Sequence, residues 1–81
     1  MKVVRVGASW CSSCLIMKST VQDILKDNND IEIISYDYDF DDDKVEEYNI
    51  GDVLPVYIRL DNNDRLIGEK TKEEIKKFLG I

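Results

Sequence analysis

Apolar and polar positions along this chain follow two rhythms, and the places where the rhythm changes mark its elements. Lys2 to Gly7 carries Val3, Val4 and Val6, a short β-branched run closed by Gly7-Ala8-Ser9, and reads as a largely buried strand. From Cys11 the spacing lengthens. Met17, Val21, Ile24 and Leu25 fall at i, i+4, i+7 and i+8, one stripe of an amphipathic helix that stops at the breaker cluster Asp27-Asn28-Asn29-Asp30. Ile31 to Tyr36 reads as a second strand. Asp41 to Asn49 reads as a short helix burying Val45 and Tyr48, with Asp43 and Glu46 spaced as a capping box. Pro55 opens the next strand, where Val56, Ile58 and Leu60 alternate with Tyr57 and Arg59, so one face is predicted buried and the other open. Asp61-Asn62-Asn63-Asp64 turns the chain into Arg65 to Ile67, making a hairpin. Thr71 and Glu74 then form a T-x-x-E capping box ahead of Ile75, Phe78 and Leu79, with Gly80 as the stop.

The predicted order is therefore βαβαββα, an α/β fold. Strand–helix–strand at the start requires a parallel pair, and the closing hairpin adds antiparallel strands, giving a four-stranded mixed sheet flanked by helices. Eighty-one residues suffice for one core, so residues 1–81 are expected to form a single domain. There is no internal repeat and no linker.

Composition narrows the functional classes. At 43% hydrophobic and 35% charged residues the chain can fold, yet no apolar run approaches the roughly 20 residues of a membrane span. The apolar start is short and broken by Arg5, unlike a signal peptide, which points to a cytoplasmic protein. Seventeen acidic against eleven basic residues leave a net charge of -6 and no basic patch, which disfavours nucleic acid and anionic membranes as partners. The acidic run Asp37 to Asp43 places carboxylates at alternate positions, as in a calcium loop. Asp42 stands where that loop needs glycine and Tyr48 where it needs glutamate, so a solvated strand end is the better account.

The stretch GASWCSSCLIM holds both cysteines, three positions apart. As a staple the pair is poor, because a disulfide closing four residues stabilises by no more than roughly 2 kcal/mol. As a zinc site it is incomplete: zinc takes four ligands, and the chain has two cysteines and no histidine. A metal or iron–sulfur bridge between two copies of the chain stays open. As a reagent the pair has positive support. The first turn of a helix has unpartnered N–H groups and about half a positive charge, and thiols placed there ionise more readily than free ones. Cys11, nearer the helix end, is the candidate nucleophile. Cys14 lies almost one turn further on the same side, placed to resolve a mixed disulfide formed by Cys11.

A strand leading into Trp10-Cys11-Ser12-Ser13-Cys14, a helix, Leu54-Pro55 ahead of a later strand and a closing T-K-E-E-I-K-K-F-L helix together resemble the thioredoxin family over almost the whole chain. The resemblance implies that Pro55 is a cis-proline facing the cysteines and shaping a substrate groove. It implies that the Leu54 backbone pairs with an incoming substrate segment. Trp10 would shield Cys11 and contact the partner. Plainer accounts stand beside these: a trans proline starting a strand, a core leucine, and a half-buried aromatic over the core.

Some residues depart from the family pattern. Thioredoxins usually carry Gly-Pro where this chain has Ser12-Ser13, and strongly oxidising relatives use a histidine that is missing here, which favours a reductant. Arg5 occupies the place of the acidic residue that serves the resolving cysteine in the family. It reads either as a side chain snorkelling from the sheet or as a charge that lowers a cysteine pKa. The sequence starts at the strand before the cysteines, so its size is nearer that of glutaredoxins. Of the double glycine usual in glutathione-binding relatives only Gly68 matches, and Glu69 would repel glutathione's carboxylates.

The resemblance thus implies a thiol-disulfide oxidoreductase that reduces protein disulfides through Cys11 and Cys14 as a monomer. No bound cofactor or metal is expected, and a separate donor, thioredoxin reductase or the glutathione system, would restore the dithiol. Two alternatives remain: a glutaredoxin-like, glutathione-dependent carrier, and a binding module of the same fold that does not turn over.

Overall fold

The computed structural model describes residues 1–81 as β1 (Lys2–Gly7), α1 (Ser12–Leu25), β2 (Glu32–Asp37), α2 (Asp42–Glu47), β3 (Val56–Arg59), β4 (Arg65–Ile67) and α3 (Lys72–Leu79). The strands form one mixed sheet in the order β2-β1-β3-β4. β1 is central because its β-branched run can be covered on every side: it pairs parallel with β2 (Val4 opposite Ile34) and antiparallel with β3 (Val4 opposite Ile58). β3 and β4 close the hairpin, Tyr57 opposite Leu66. This is the predicted βαβαββα sheet.

Two buried clusters lie in the fold. Val3 and Tyr57 join Met17, Val21 and Ile24 of α1 and Ile75 and Leu79 of α3 in one. Val4, Val6, Val56 and Ile58 join Ala8, Cys11, Cys14 and Leu54 in the other, with Val45 and Tyr48 packed against it. With helices on both sides, β3 has no open face. Tyr57, predicted to point outward, is 2% exposed, and Leu60 falls beyond the strand and is exposed.

Element ends differ by a residue or two, and the caps explain why. α2 starts after Asp41, not with a box from Asp43 to Glu46: Asp41 accepts from the Asp37 N–H at 2.7 Å, which ties it to the end of β2 and leaves Asp43 inside the helix. Val45 and Tyr48 are half-buried rather than buried. At α3, Thr71 Oγ1 accepts from the Glu74 N–H at 3.2 Å, as a cap should, while the Glu74 carboxylate takes the Thr71 hydroxyl instead of its N–H. Gly80 ends α3 with φ 77°, a left-handed conformation in which a side chain would be strained.

Candidate active site

The chain leaves β1 at Gly7 and turns through Ala8-Ser9-Trp10 into α1. The Cys11 N–H donates to the Ala8 carbonyl at 3.2 Å, closing that turn. Cys11 itself keeps an extended backbone (φ -95°, ψ 107°) and is the N-cap of α1. Its Sγ accepts a hydrogen bond from the Cys14 N–H at 3.2 Å. This is the role a serine or aspartate oxygen plays at other helix starts, satisfying one of the orphan donors. The first turn, Ser12-Ser13-Cys14, carries no acidic side chain. A sulfur anion at residue 11 therefore meets the positive helix end with no competing carboxylate in that turn. Both cysteines are free thiols, 9% and 8% exposed.

Cys14 sits behind Cys11, against the sheet. A Cβ on Gly7 would stand 3.3 Å from Cys14 Sγ, so any side chain at this strand end would push that sulfur aside by a few tenths of an ångström. Burial pushes the Cys14 thiol up to about 11 from 9.0; the Cys11 side chain pushes the same way, and the Ala8 backbone and the Arg5 charge oppose it. Unfolded Cys14 ionises first, so the protein is at full stability below about pH 9 and loses this contribution as pH rises through about 11. Tyr57, also raised by burial, adds to the loss at the upper end. Urea unfolding of the reduced protein should show stability declining above about pH 9, and Cys14→Ala should decline less; equal slopes would contradict this assignment.

Trp10, ahead of Cys11, is 64% exposed rather than half-buried over the core. Its Nε1 donates to Asp39 Oδ2 at 2.7 Å, and its ring meets Tyr38 edge-on with centroids 6.4 Å apart. Three carboxylates of the acidic run thereby gain a role: Asp37 accepts from the Asp39 N–H at 2.8 Å, Asp41 accepts from the Asp37 N–H, and the resulting turn holds the Asp39 carboxylate that orients the indole. No group of three or more carboxylate, thiol or imidazole side chains is placed to hold a metal. Leu54 packs in the same buried cluster as both cysteines. The Leu54–Pro55 peptide is cis and Pro55 is fully buried. Sequence reasoning passed over two residues, Gly7 and Asp39. A glycine ending a buried strand just before the cysteines was the available signal for the first; nothing local pointed to the second.

A helix capped by one cysteine, with a second cysteine one turn inside and a cis-proline loop in the same cluster, defines a dithiol redox protein class. The profile of the thioredoxin family, described simply as thioredoxin, matches residues 1–80, and the chain belongs to that family. No curated protein sequence matches it. Among solved structures, thioredoxin 1 from Thermosipho africanus is 25% identical with a TM-score of 0.77, over 99% of this chain and 96% of that one. Fasciola hepatica thioredoxin is 21% identical with a TM-score of 0.80, over 98% and 77%. A structure from work on thiol resolution in yeast mitochondrial 1-Cys peroxiredoxin via glutathione and thioredoxin systems is 18% identical, TM-score 0.84, over 98% and 76%. The last two share the fold with this chain. A thioredoxin-like redox role follows from the family and the adjoining cysteines. No helix is long and apolar enough to cross a membrane.

Proposed function

We propose that this protein reduces protein disulfides by dithiol exchange, with Cys11 as nucleophile and Cys14 as resolving thiol. The observation that carries the reading is the sulfur cap: Cys11 Sγ accepts the Cys14 N–H at the start of α1, while Cys14 itself is held protonated behind it. The Cys11 thiolate attacks one sulfur of the substrate disulfide and expels the other as a thiolate. Cys14 then attacks Cys11 Sγ, forms the internal disulfide and releases the second substrate thiolate. Two electrons pass from the dithiol to the substrate in one cycle. Because the resolving group is three residues away, the second step is intramolecular and outruns competing thiols.

Trp10, Leu54 and Pro55 frame the substrate in this reading. The exposed indole covers the approach to Cys11, and the Leu54–Pro55 segment offers backbone to an extended peptide, in the manner of an added strand. No bound cofactor takes part; a separate protein reductase or glutathione restores the dithiol.

Mixing the reduced protein with an equal amount of a disulfide-bonded peptide tests this. The expected products are a dithiol peptide and a protein lighter by two hydrogens, with the bridge mapped to Cys11–Cys14. Unchanged peptide, or a protein oxidised only into disulfide-linked dimers, would refute the reading.

A further inference from the structure

Behind the cysteine pair stands a cation without an ionic partner. Val3, Arg5 and Gly7 share one face of β1, because alternate residues of a strand point the same way. Val3 belongs to the cluster built with Met17 and Val21 of α1, and Gly7 lies against Cys14 Sγ of the same helix. Arg5 comes between them on the face that α1 covers, two strand residues or about 7 Å from Gly7. Its register neighbours are Ser35 on β2 and Tyr57 on β3. The residue is half-buried, and its guanidinium donates to Ser35 Oγ at 2.5 Å, a neutral acceptor on the exposed side of β2. The ion pairs of the chain are Lys26–Asp23, Lys44–Glu47 and Arg59–Asp61. Arg5 is in none of them. Tyr57 is buried; its hydroxyl has no partner at hydrogen-bonding geometry, burial pushes its titration up, and the neighbouring Arg5 pulls it back down.

A guanidinium stays charged at every pH the fold meets. A permanent cation thus faces α1 with no permanent anion opposite. During dithiol exchange one group on that face does become an anion, and it is Cys14. We propose that Arg5 is a positioning residue for the resolving step: its fixed charge holds the Cys14 thiolate in place while that sulfur attacks the Cys11 mixed disulfide.

This rests on the dithiol exchange proposed above and adds to it how a buried thiol can ionise with no carboxylate behind it. In the step, Cys14 gives its proton to water and its thiolate attacks Cys11 Sγ. The Cys11–Cys14 bond forms, the bond from Cys11 to the substrate sulfur breaks, and the departing thiolate takes up a proton. Arg5 gives and takes neither proton nor electron. The titratable and charged groups acting on Cys14 are Cys11 from its own helical turn, Arg5 from β1 and Tyr57 from β3, and of these Arg5 is the one that favours the anion.

A unit charge roughly 7 to 12 Å from a thiol, at an effective dielectric of about 20, moves its titration by roughly one to two pH units. The guanidinium meets solvent where it bonds Ser35, and screening there brings the expected shift to the lower end, about one unit. At about pH 7 that means tenfold less thiolate, while the more basic thiolate attacks about threefold faster, so resolution slows about threefold without Arg5.

Stopped-flow mixing of the reduced protein with one equivalent of dithiobis(nitrobenzoate) reads both steps. Cys11 attack releases the first thionitrobenzoate and Cys14 resolution the second. In Arg5→Gln the pH midpoint of the second phase should rise by about one unit, more than that of the first, with Arg5→Lys returning it close to wild type. Arg5→Met, which keeps the side-chain length, carries the same expectation as Arg5→Gln should that variant not fold. An unchanged second-phase midpoint in the neutral variants, or equal slowing in Arg5→Lys and Arg5→Gln, would overturn the role of Arg5 and leave dithiol exchange standing. A wild-type protein with no second phase would overturn both.

Discussion

Cys14→Ser is expected to stop the exchange half-way and accumulate a covalent adduct. The variant keeps the sulfur cap, because the bond to Cys11 Sγ comes from the backbone N–H of residue 14 and not from its side chain. Cys11 is therefore still expected to attack. The serine hydroxyl cannot displace a thiolate from sulfur, so the mixed disulfide persists until an added dithiol clears it. Turnover should fall to roughly one per cent or less while the first step proceeds at near its normal rate. Cys11→Ser behaves differently: with no nucleophile neither step occurs, and disulfide reduction should drop by roughly a thousandfold or more. Mass spectrometry of each variant after exposure to a disulfide-bonded substrate separates these outcomes. A glutathione-dependent carrier would keep substantial activity in Cys14→Ser when glutathione is supplied, since an external thiol would then resolve the adduct. A binding module would retain its partner in both variants without any covalent product.

Met17→Ala is expected to be the most damaging single change to the fold outside the cysteine pair. Met17 is 0% exposed and lies one helical turn beyond Cys14, in the cluster that joins α1, β1, β3 and α3. Its Sδ also accepts from the Lys70 N–H at 3.3 Å, fastening the segment that leads into α3. Truncation removes buried methylenes, leaves a cavity among side chains that can close in only partly, and strands that N–H. Such substitutions cost about 2 to 5 kcal/mol. A domain this small has a total of only about 5 to 10 kcal/mol, so much of the population should unfold near physiological temperature. Met17→Leu, of similar volume, should cost less than about 1.5 kcal/mol. Urea titrations of the two variants measure the difference; similar losses in both would show that the cluster does not depend on filling this site.

Much of the architecture was legible because each element announces itself by a pattern and an end signal that agree. Val3-Val4-Val6 before a glycine, the stripe from Met17 to Leu25 before four breakers, and Thr71 with Glu74 before Ile75 each fix type and place together. The second helix misled because its acidic start offers several residues that could cap. Only the short-range bond from the Asp37 N–H, set by how β2 ends, selects Asp41. Tyr57 misled for a different reason: alternation separates buried from exposed only when one face of a strand meets water, and here helices cover both.

At the candidate site, the two cysteines and their order along α1 could be read from three-residue spacing and the strand before them. The electrostatics could not. That Cys14 packs against Gly7 where burial pushes its titration up, that Asp39 orients Trp10 and that Arg5 lies between two α1 contacts all depend on register and packing. Arg5 shows the gap most clearly. Its departure from the family pattern was visible in the sequence, but its lack of an ionic partner was not.

In the proposed exchange the two thiols differ in reactivity because one caps a helix and the other is buried behind it. Alkylation of the reduced protein by iodoacetamide, followed for each cysteine across pH by peptide mass spectrometry, measures this directly. Cys11 should be labelled first throughout the neutral range, with Cys14 reacting only as pH approaches about 11. Both cysteines labelling together along the curve of a free thiol, or Cys14 reacting first, would contradict the account.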